Sequence, residues 1–155
     1  MATPVPDIPS RVLVADDSGF MRRVLCTALR SSGFEVVGEA RDGDEALSLW
    51  KRLKPDVMTL DLEMPGTDGI GVLRALREAG QTSVPVVVVS AFSPTCGARA
   101  VDALAEGAFD LVSKPGAGGG LTAFTAELEE KVAAAVHSRR RRPLPAPRAV
   151  RTRGV

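Results

Sequence analysis

Three carboxylates and one ammonium group stand out in this sequence because each directly follows a short apolar run. They are Asp16 and Asp17 after RVLVA, Asp61 after DVMTL, and Lys114 after FDLVS. If these runs are parallel strands of one sheet, the four side chains meet at its carboxyl edge, where open α/β sheets bind ligands. Crowded carboxylates repel each other, which raises the pKa of at least one of them unless a cation joins them. Mg²⁺ binds carboxylate, water and phosphate oxygens. We therefore predict a Mg²⁺-dependent phosphoryl site.

Apolar spacing along the chain alternates between the patterns typical of strands and of helices. Val84–Val89 is an almost uninterrupted apolar run, as expected of a strand covered on both faces. Each predicted strand is followed by a segment whose apolar residues recur at helical spacing. Five such units imply a parallel sheet with right-handed crossovers and helices on both faces. The predicted fold is a doubly wound α/β domain with strands at 11–15, 35–40, 56–60, 84–89 and 109–113.

The same helical spacing predicts which side chains face the core. In the first helix it places Phe20 inward and puts Cys26 on an exposed stripe with two arginines, whose charges would mildly activate the thiol. In the fourth helix it places Val101 and Leu104 inward.

Length and composition favour one soluble domain. A chain of 155 residues has room for a single domain with its own core. No apolar stretch approaches the roughly 20 residues that a membrane helix needs, and the first residues lack the pattern of a signal peptide. Cys26 and Cys96 form no CxxC pair, so metal ligation by cysteine is not favoured. We expect a reduced, cytoplasmic protein with no membrane insertion.

The net charge of +1 hides an asymmetry between the body of the chain and its tail. Residues 138–155 contain seven arginines and no acids, which leaves 13 basic against 19 acidic residues, a net charge of −6, in the rest. Such a basic, proline-rich segment has little to bury. We predict a flexible N-terminus at 1–9, a folded domain at 10–137, and a disordered tail or interdomain linker at 138–155. Nucleic-acid binding by the arginines is the less favoured interpretation, because such runs usually flank domains as solvated spacers.

Four motifs, in order and spacing, resemble those of the receiver domains of response regulators in bacterial two-component signalling. They are RVLVADDSGFMRR, VMTLDLEMPGTDGI, VVVVSAF and FDLVSKP. The resemblance covers about residues 10–136, and within the family the chain looks most like the N-terminal receiver of chemotaxis protein-glutamate methylesterases. It implies a flavodoxin-like (βα)5 sandwich with strand order 2-1-3-4-5.

The resemblance also implies roles for individual residues. Asp61 would be the phosphoacceptor, attacking a phosphohistidine of a partner histidine kinase. Lys114 would place a positive charge on the phosphoryl oxygens, and Ser90 would hydrogen-bond the phosphoryl group and move toward it. The implied cofactor is Mg²⁺. Its implied ligands are Asp17 directly, Asp16 through water, Asp61, and the backbone carbonyl of Glu63.

A conformational switch is implied as well, with a cis peptide between Lys114 and Pro115. Phosphorylation would change the face formed by the fourth helix, fifth strand and fifth helix. This sequence has Leu111 where relatives commonly carry the aromatic switch residue, so the usual serine–aromatic mechanism is open to question, and Phe109 is a candidate substitute. Whether phosphorylation produces a dimer from the monomer is left open by the sequence.

No hydrolytic effector is expected in this chain. The methylesterases carry a C-terminal Ser-His-Asp site, whereas the single histidine here, His137, falls at the predicted end of the last helix. A solvated histidine beside the helix dipole is the favoured interpretation. The chain is therefore not expected to be an esterase, and it could be a free-standing receiver or one part of a longer protein with a separate effector domain.

Simpler structural interpretations compete at each position. Adjacent aspartates often cap a helix, and Ser90 could hydrogen-bond at the end of a strand without any switching role. Glu63 could be a solvated loop acid or could slow attack by water on the acyl phosphate. Asp56 and Asp68 are expected to be solvated.

Two other functions remain as alternatives. A Mg²⁺-dependent phosphohydrolase would also use an aspartyl nucleophile, but it would show an Asp-x-Asp pair on one strand end and a cap insertion, and this sequence shows neither. A phosphorylation-independent interaction module would have the same fold without the reaction.

Overall fold

A computed structural model describes residues 8–81, 83–91, 94–116 and 120–141. Five strands form one parallel sheet in the order β2-β1-β3-β4-β5, which confirms the predicted fold class and topology. The strands are β1 (Arg11–Ala15), β2 (Glu35–Ala40), β3 (Val57–Leu60), β4 (Val86–Ser90) and β5 (Asp110–Ser113). The helices are α1 (Gly19–Ser31), α2 (Gly43–Leu53), α3 (Gly69–Glu78), α4 (Pro94–Ala105) and α5 (Leu121–Arg141).

Side chains alternate across the sheet and supply two cores, one on each face. Leu13 and Met58 pack with buried residues of α2, α3 and α4, whereas Val12 and Val14 pack with those of α1 and α5. This division follows from the two-residue period of a strand. Every residue of β3 and β4 is buried, as predicted for central strands covered on both faces. Across the described part of the chain, no helix combines the length and apolar character needed to cross a membrane.

The predicted inward face of α4 is wrong. Val101 is 66% exposed and Leu104 is 46% exposed, whereas Ala100 and Ala103 are buried. A rotation of about 100° per residue separates these two faces. The helix packs through its small alanines, so its larger apolar side chains face outward. Phe20 was also predicted to face inward but is exposed, because the buried face of α1 begins at the next residue, Met21.

The prediction of an exposed, mildly activated Cys26 is also wrong. The side chain is 3% exposed. Burial, together with the nearby Glu39 carboxylate, raises the pKa of the thiol to about 11, and these effects outweigh the opposing charges of Arg30 and Arg22. Such a thiol is inert at neutral pH.

Helix α5 runs past the boundary predicted at His137 and ends at Arg141. Its last turns are tied to the sheet, because Arg139 Nη1 lies 2.9 Å from Asp56 Oδ1. The other oxygen of Asp56 accepts a hydrogen bond from the backbone N–H of Arg11 at 2.8 Å. Asp56 is therefore an anchor for both ends of the fold and not the solvated residue that was predicted. The predicted N-terminal segment 1–9 and the tail beyond Arg141 lie almost wholly outside the described residues.

The described backbone contains no cis peptide bond, so the cis Lys114–Pro115 peptide predicted by resemblance is wrong for this structure. The two isomers of an X–Pro bond differ by only about 0.5–1 kcal/mol in the absence of other forces. Residue type alone therefore does not decide between them.

Candidate phosphoryl site

The ends of four adjacent strands bring the predicted site residues together. Asp16 follows β1, Asp61 follows β3, Ser90 ends β4 and Lys114 follows β5. Backbone pairing continues into the site, since the N–H of Asp61 donates to Ala15 O at 2.9 Å and the N–H of Lys114 donates to Ser90 O at 2.9 Å. The sheet therefore fixes where each side chain begins, as expected at the carboxyl edge of a parallel sheet.

Lys114 bridges the two buried carboxylates. Its Nζ lies 3.1 Å from Asp61 Oδ2 and 3.0 Å from Asp16 Oδ2. The exposed fractions of the Asp61 and Asp16 side chains are only 4% and 1%. Because two like charges in a poorly solvated position repel each other, one ammonium group compensates them only in part.

The protonation of Asp61 reflects that imbalance. Burial, together with the neighbouring Asp16, raises the pKa of its carboxyl group to about 6, although Lys114 and the N–H of Glu63 act in the opposite direction. Burial alone would lower the pKa of Lys114, but Asp61 and Asp16 outweigh burial and raise it. At pH 7 Asp61 is therefore mainly ionised and Lys114 is fully charged, the forms required of a nucleophile and an electrostatic partner.

Replacing Asp61 with Asn is expected to stabilise the metal-free protein by about 1–3 kcal/mol at pH 7.5. An acid whose pKa rises on folding, here from 3.8 to about 6, lowers stability above the folded pKa. That cost disappears as the pH falls from 6 towards 3.8, because the native carboxyl becomes protonated. Urea unfolding in EDTA at pH 7.5 and at pH 4.5 measures both effects. Asp102→Asn, a change at an exposed acid on α4, is the control. Equal stability of wild type and Asp61→Asn at pH 7.5 would contradict this account.

The carboxylates have the chemistry and spacing of a hard cation site. One oxygen from each of Asp16, Asp17 and Asp61 lies within 4.8 Å of the others. Asp17 is exposed to solvent, so this side of the cluster can retain water ligands. Mg²⁺ favours such a set of carboxylates and waters. The residues therefore fit the predicted ion.

Two further predicted residues lie at the same edge. The backbone N–H of Glu63 donates to Asp61 Oδ1 at 3.3 Å, which places its peptide beside the Asp61 carboxylate, while metal binding by its carbonyl stays a prediction. Ser90 is 5% exposed, and its Oγ has no hydrogen-bond partner among the described residues. A buried hydroxyl without a partner costs free energy, so a ligand oxygen accepting from it would be favoured.

Sequence reasoning missed the glycine that lets α3 approach Asp61 and Leu62 closely. A Cβ on Gly69 would lie 2.7 Å from the Cα of Leu62 and closer still to the carbonyl of Asp61. The N–H of Gly69 donates to Leu62 O at 3.0 Å. Only glycine permits this contact, and the turn sequence TDG was its only signal.

The prediction of a solvated Asp68 is wrong. Asp68 caps α3, accepting from the N–H of Gly71 at 2.9 Å, and it pairs with Arg99 of α4 at 2.7 Å. The cap hydrogen bond and Arg99 lower the pKa of Asp68 despite partial burial. Nothing in the sequence spacing indicated that Arg99 would reach this loop.

Comparison with known proteins decides the family. Residues 12–125 match the model of the response regulator receiver domain. The chain belongs to this family. The structure of this receiver is also similar to the crystal structure of the response regulator domain of Thermotoga maritima CheB, with 38% identity and a TM-score of 0.74. That match covers 83% of this chain and 97% of the other.

Curated relatives point to the chemotaxis branch of the family. The receiver is 55% identical over 108 residues to protein-glutamate methylesterase/protein-glutamine glutaminase 5 of Myxococcus xanthus, covering 69% of this chain and 30% of the relative. It is 47% identical over 140 residues to protein-glutamate methylesterase/protein-glutamine glutaminase 4 of Anaeromyxobacter dehalogenans, covering 88% of this chain and 39% of the relative. The matched part is thus less than two fifths of either relative. The resemblance inferred from the sequence motifs is confirmed.

Proposed function

We propose that this receiver accepts a phosphoryl group on Asp61 from a histidine kinase and thereby controls a chemotaxis-related effector. The observation that carries the proposal is the buried pair of Asp61 and Lys114, 3.1 Å apart at the carboxyl edge of the sheet. An ionised carboxylate beside a fixed ammonium group is suited to attack phosphorus, where positioning and electrostatics dominate catalysis.

The transfer step uses groups that lie within this site. A carboxylate oxygen of Asp61 forms a bond to phosphorus while the P–N bond of the kinase phosphohistidine breaks, and the electron pair returns to the imidazole. Lys114 places its charge beside the transferred oxygens. Mg²⁺, held by Asp16, Asp17, Asp61 and the carbonyl of Glu63, would neutralise phosphoryl charge when bound.

The product would act through Ser90, whose unpartnered Oγ provides a donor for a phosphoryl oxygen. Movement of Ser90 would shift the end of β4 and the α4 segment that follows it. The exposed apolar side chains of α4 then supply a surface through which that shift reaches an effector. Leu111 is half-buried against the core formed by α2, α3 and α4. It has no aromatic ring that could change rotamer when Ser90 moves. We expect the signal to pass through α4 instead.

The other elements of the proposal follow from the family and the names of its relatives. The effector would be a methylesterase-type domain, either attached or separate, and the receiver itself would perform no hydrolysis other than loss of its own phosphoryl group. A cytoplasmic location, a monomer or transient dimer, and no role for nucleic acid stay as predictions from the sequence.

Intact-mass spectrometry after incubation with acetyl phosphate tests the proposal. We expect a labile gain of one phosphoryl group in the presence of Mg²⁺ and none when EDTA replaces the metal. A folded, Mg²⁺-binding sample that gains no mass would favour the phosphorylation-independent interaction module instead.

A further inference from the structure

Beside the phosphoryl site lies an open cavity of about 470 Å³. Its lining residues are Asp17, Glu63, Met64, Pro65, Asp68 and Arg99. Asp17 and Glu63 are neighbours of Asp61 in the site already described, so the cavity opens beside Asp61, and we call it the mouth of the site. Three of the lining side chains are carboxylates, and among these lining residues Arg99 is the one cation. A mouth with this charge would repel an anionic donor unless the arginine offsets part of it.

The guanidinium of Arg99 is fixed at this position. Its Nη2 donates to Asp68 Oδ2 at 2.7 Å and to the backbone carbonyl of Leu62, the residue after the phosphoacceptor, at 3.1 Å. The side chain is 32% exposed, so its charge is only partly screened by water. An arginine stays charged at every pH at which the protein is folded.

We infer that Arg99 is a specificity-determining residue that favours dianionic phosphodonors over monoanionic ones. The inference rests on the proposed function, since it concerns the donor for the same Asp61. The positive charge of Arg99 attracts each donor in proportion to the donor's net charge. A dianionic donor is therefore attracted more strongly than a monoanionic one. Coulomb attraction of this kind acts across the cavity and needs no direct hydrogen bond.

Two small phosphodonors differ in net charge but give the same phosphorylated product, so comparing them isolates the effect of donor charge. Acetyl phosphate is a dianion at pH 7, and phosphoramidate is mainly a zwitterion with one net negative charge. With acetyl phosphate, Asp61 attacks phosphorus, the bond from phosphorus to the bridging oxygen breaks, and acetate leaves with the electron pair. With phosphoramidate the P–N bond breaks and the protonated nitrogen leaves as ammonia. The phosphorylated product is the same in both reactions.

The experiment compares second-order phosphorylation rate constants for the two donors, by intact mass, in saturating Mg²⁺ and low salt. For Arg99→Gln we expect the acetyl phosphate to phosphoramidate ratio to fall by about two- to fourfold relative to wild type. Arg99→Lys keeps the charge and should retain most of the wild-type ratio. In about 0.5 M salt the difference between Arg99→Gln and wild type should largely disappear.

Two control variants separate the charge of Arg99 from its structural ties. Asp68→Asn breaks the ion pair with Arg99 but keeps a good helix cap and the arginine charge. Because it also removes one of the three carboxylates that line the mouth, it should raise the donor ratio. Arg77→Gln removes an equal charge and breaks a comparable ion pair, with Glu106 at 2.9 Å, and Arg77 does not line the mouth. It should leave the ratio unchanged.

The outcomes are distinguishable. An equal slowing with both donors in Arg99→Gln, reproduced by Asp68→Asn, would overturn the inference and make Arg99 a structural tie between α4 and the Asp61 loop. An unchanged ratio and unchanged rates would overturn it as well. Absence of phosphorylation in the wild type with either donor would instead overturn the proposed function and the inference together.

Discussion

Asp61→Asn is expected to lower phosphorylation of this receiver by more than about a thousandfold, because the substitution removes the proposed nucleophile itself. The amide of asparagine has no anionic oxygen to attack phosphorus. The change is nearly isosteric, and the backbone pairing of residue 61 with Ala15 is untouched. The rate of mass gain from acetyl phosphate in Mg²⁺ gives the measurement.

The same variant should be more stable than wild type in the absence of metal, so loss of activity cannot be attributed to unfolding. Asp102→Asn on α4 is the matched control and should be phosphorylated at the wild-type rate. A phosphorylation rate of Asp61→Asn within tenfold of wild type would place the phosphoacceptor at another residue.

Lys114→Met is expected to slow phosphorylation by about a hundredfold, the effect typical of losing one preorganised charge in a catalytic site. The Lys114 side chain is only 17% exposed, and its Nζ lies 3.1 Å from Oδ2 of Asp61, the proposed nucleophile. Lys114 also lowers the pKa of Asp61, so its removal leaves less of the nucleophile ionised at pH 7. Rate constants at pH 7 and pH 9 separate these two effects, since raising the pH restores only the ionisation of Asp61.

Two further variants serve as comparisons for Lys114→Met. Lys51→Met changes an exposed lysine on α2 and should leave the rate unchanged. Lys114→Arg keeps the positive charge in a broader, planar group and should give an intermediate rate. If Lys114→Met matched the wild-type rate at both pH values, the ammonium group would have no part in transfer.

The core of the site was predictable because strand topology determines it. Once the apolar runs before Asp16, Asp61 and Lys114 are taken as parallel strands, their carboxyl ends must share one edge of the sheet. No knowledge of side-chain packing is needed for that step. Ser90 was predicted instead by the resemblance to receiver domains, and its position at the end of β4 fits the same topology.

The features that were mispredicted depend on packing between elements. The large side chains of Val101 and Leu104 indicated one inward face of α4, but the helix packs through alanines on another face. Cys26 carries arginine neighbours in sequence, yet the fold buries it beside Glu39. The Arg99–Asp68 pair joins residues 31 positions apart, and no local pattern encodes such a contact.

The most direct test of the central claim is to identify the residue that carries the phosphoryl group. Borohydride reduces an aspartyl phosphate to homoserine, and peptide mass spectrometry then locates the reduced position. After treatment with acetyl phosphate and Mg²⁺, we expect homoserine in place of Asp61 and unmodified side chains at Asp16 and Asp17. Reduction at either neighbouring aspartate, or a stable phosphoryl gain with no reducible acyl phosphate, would contradict the assignment of Asp61 as the phosphoacceptor.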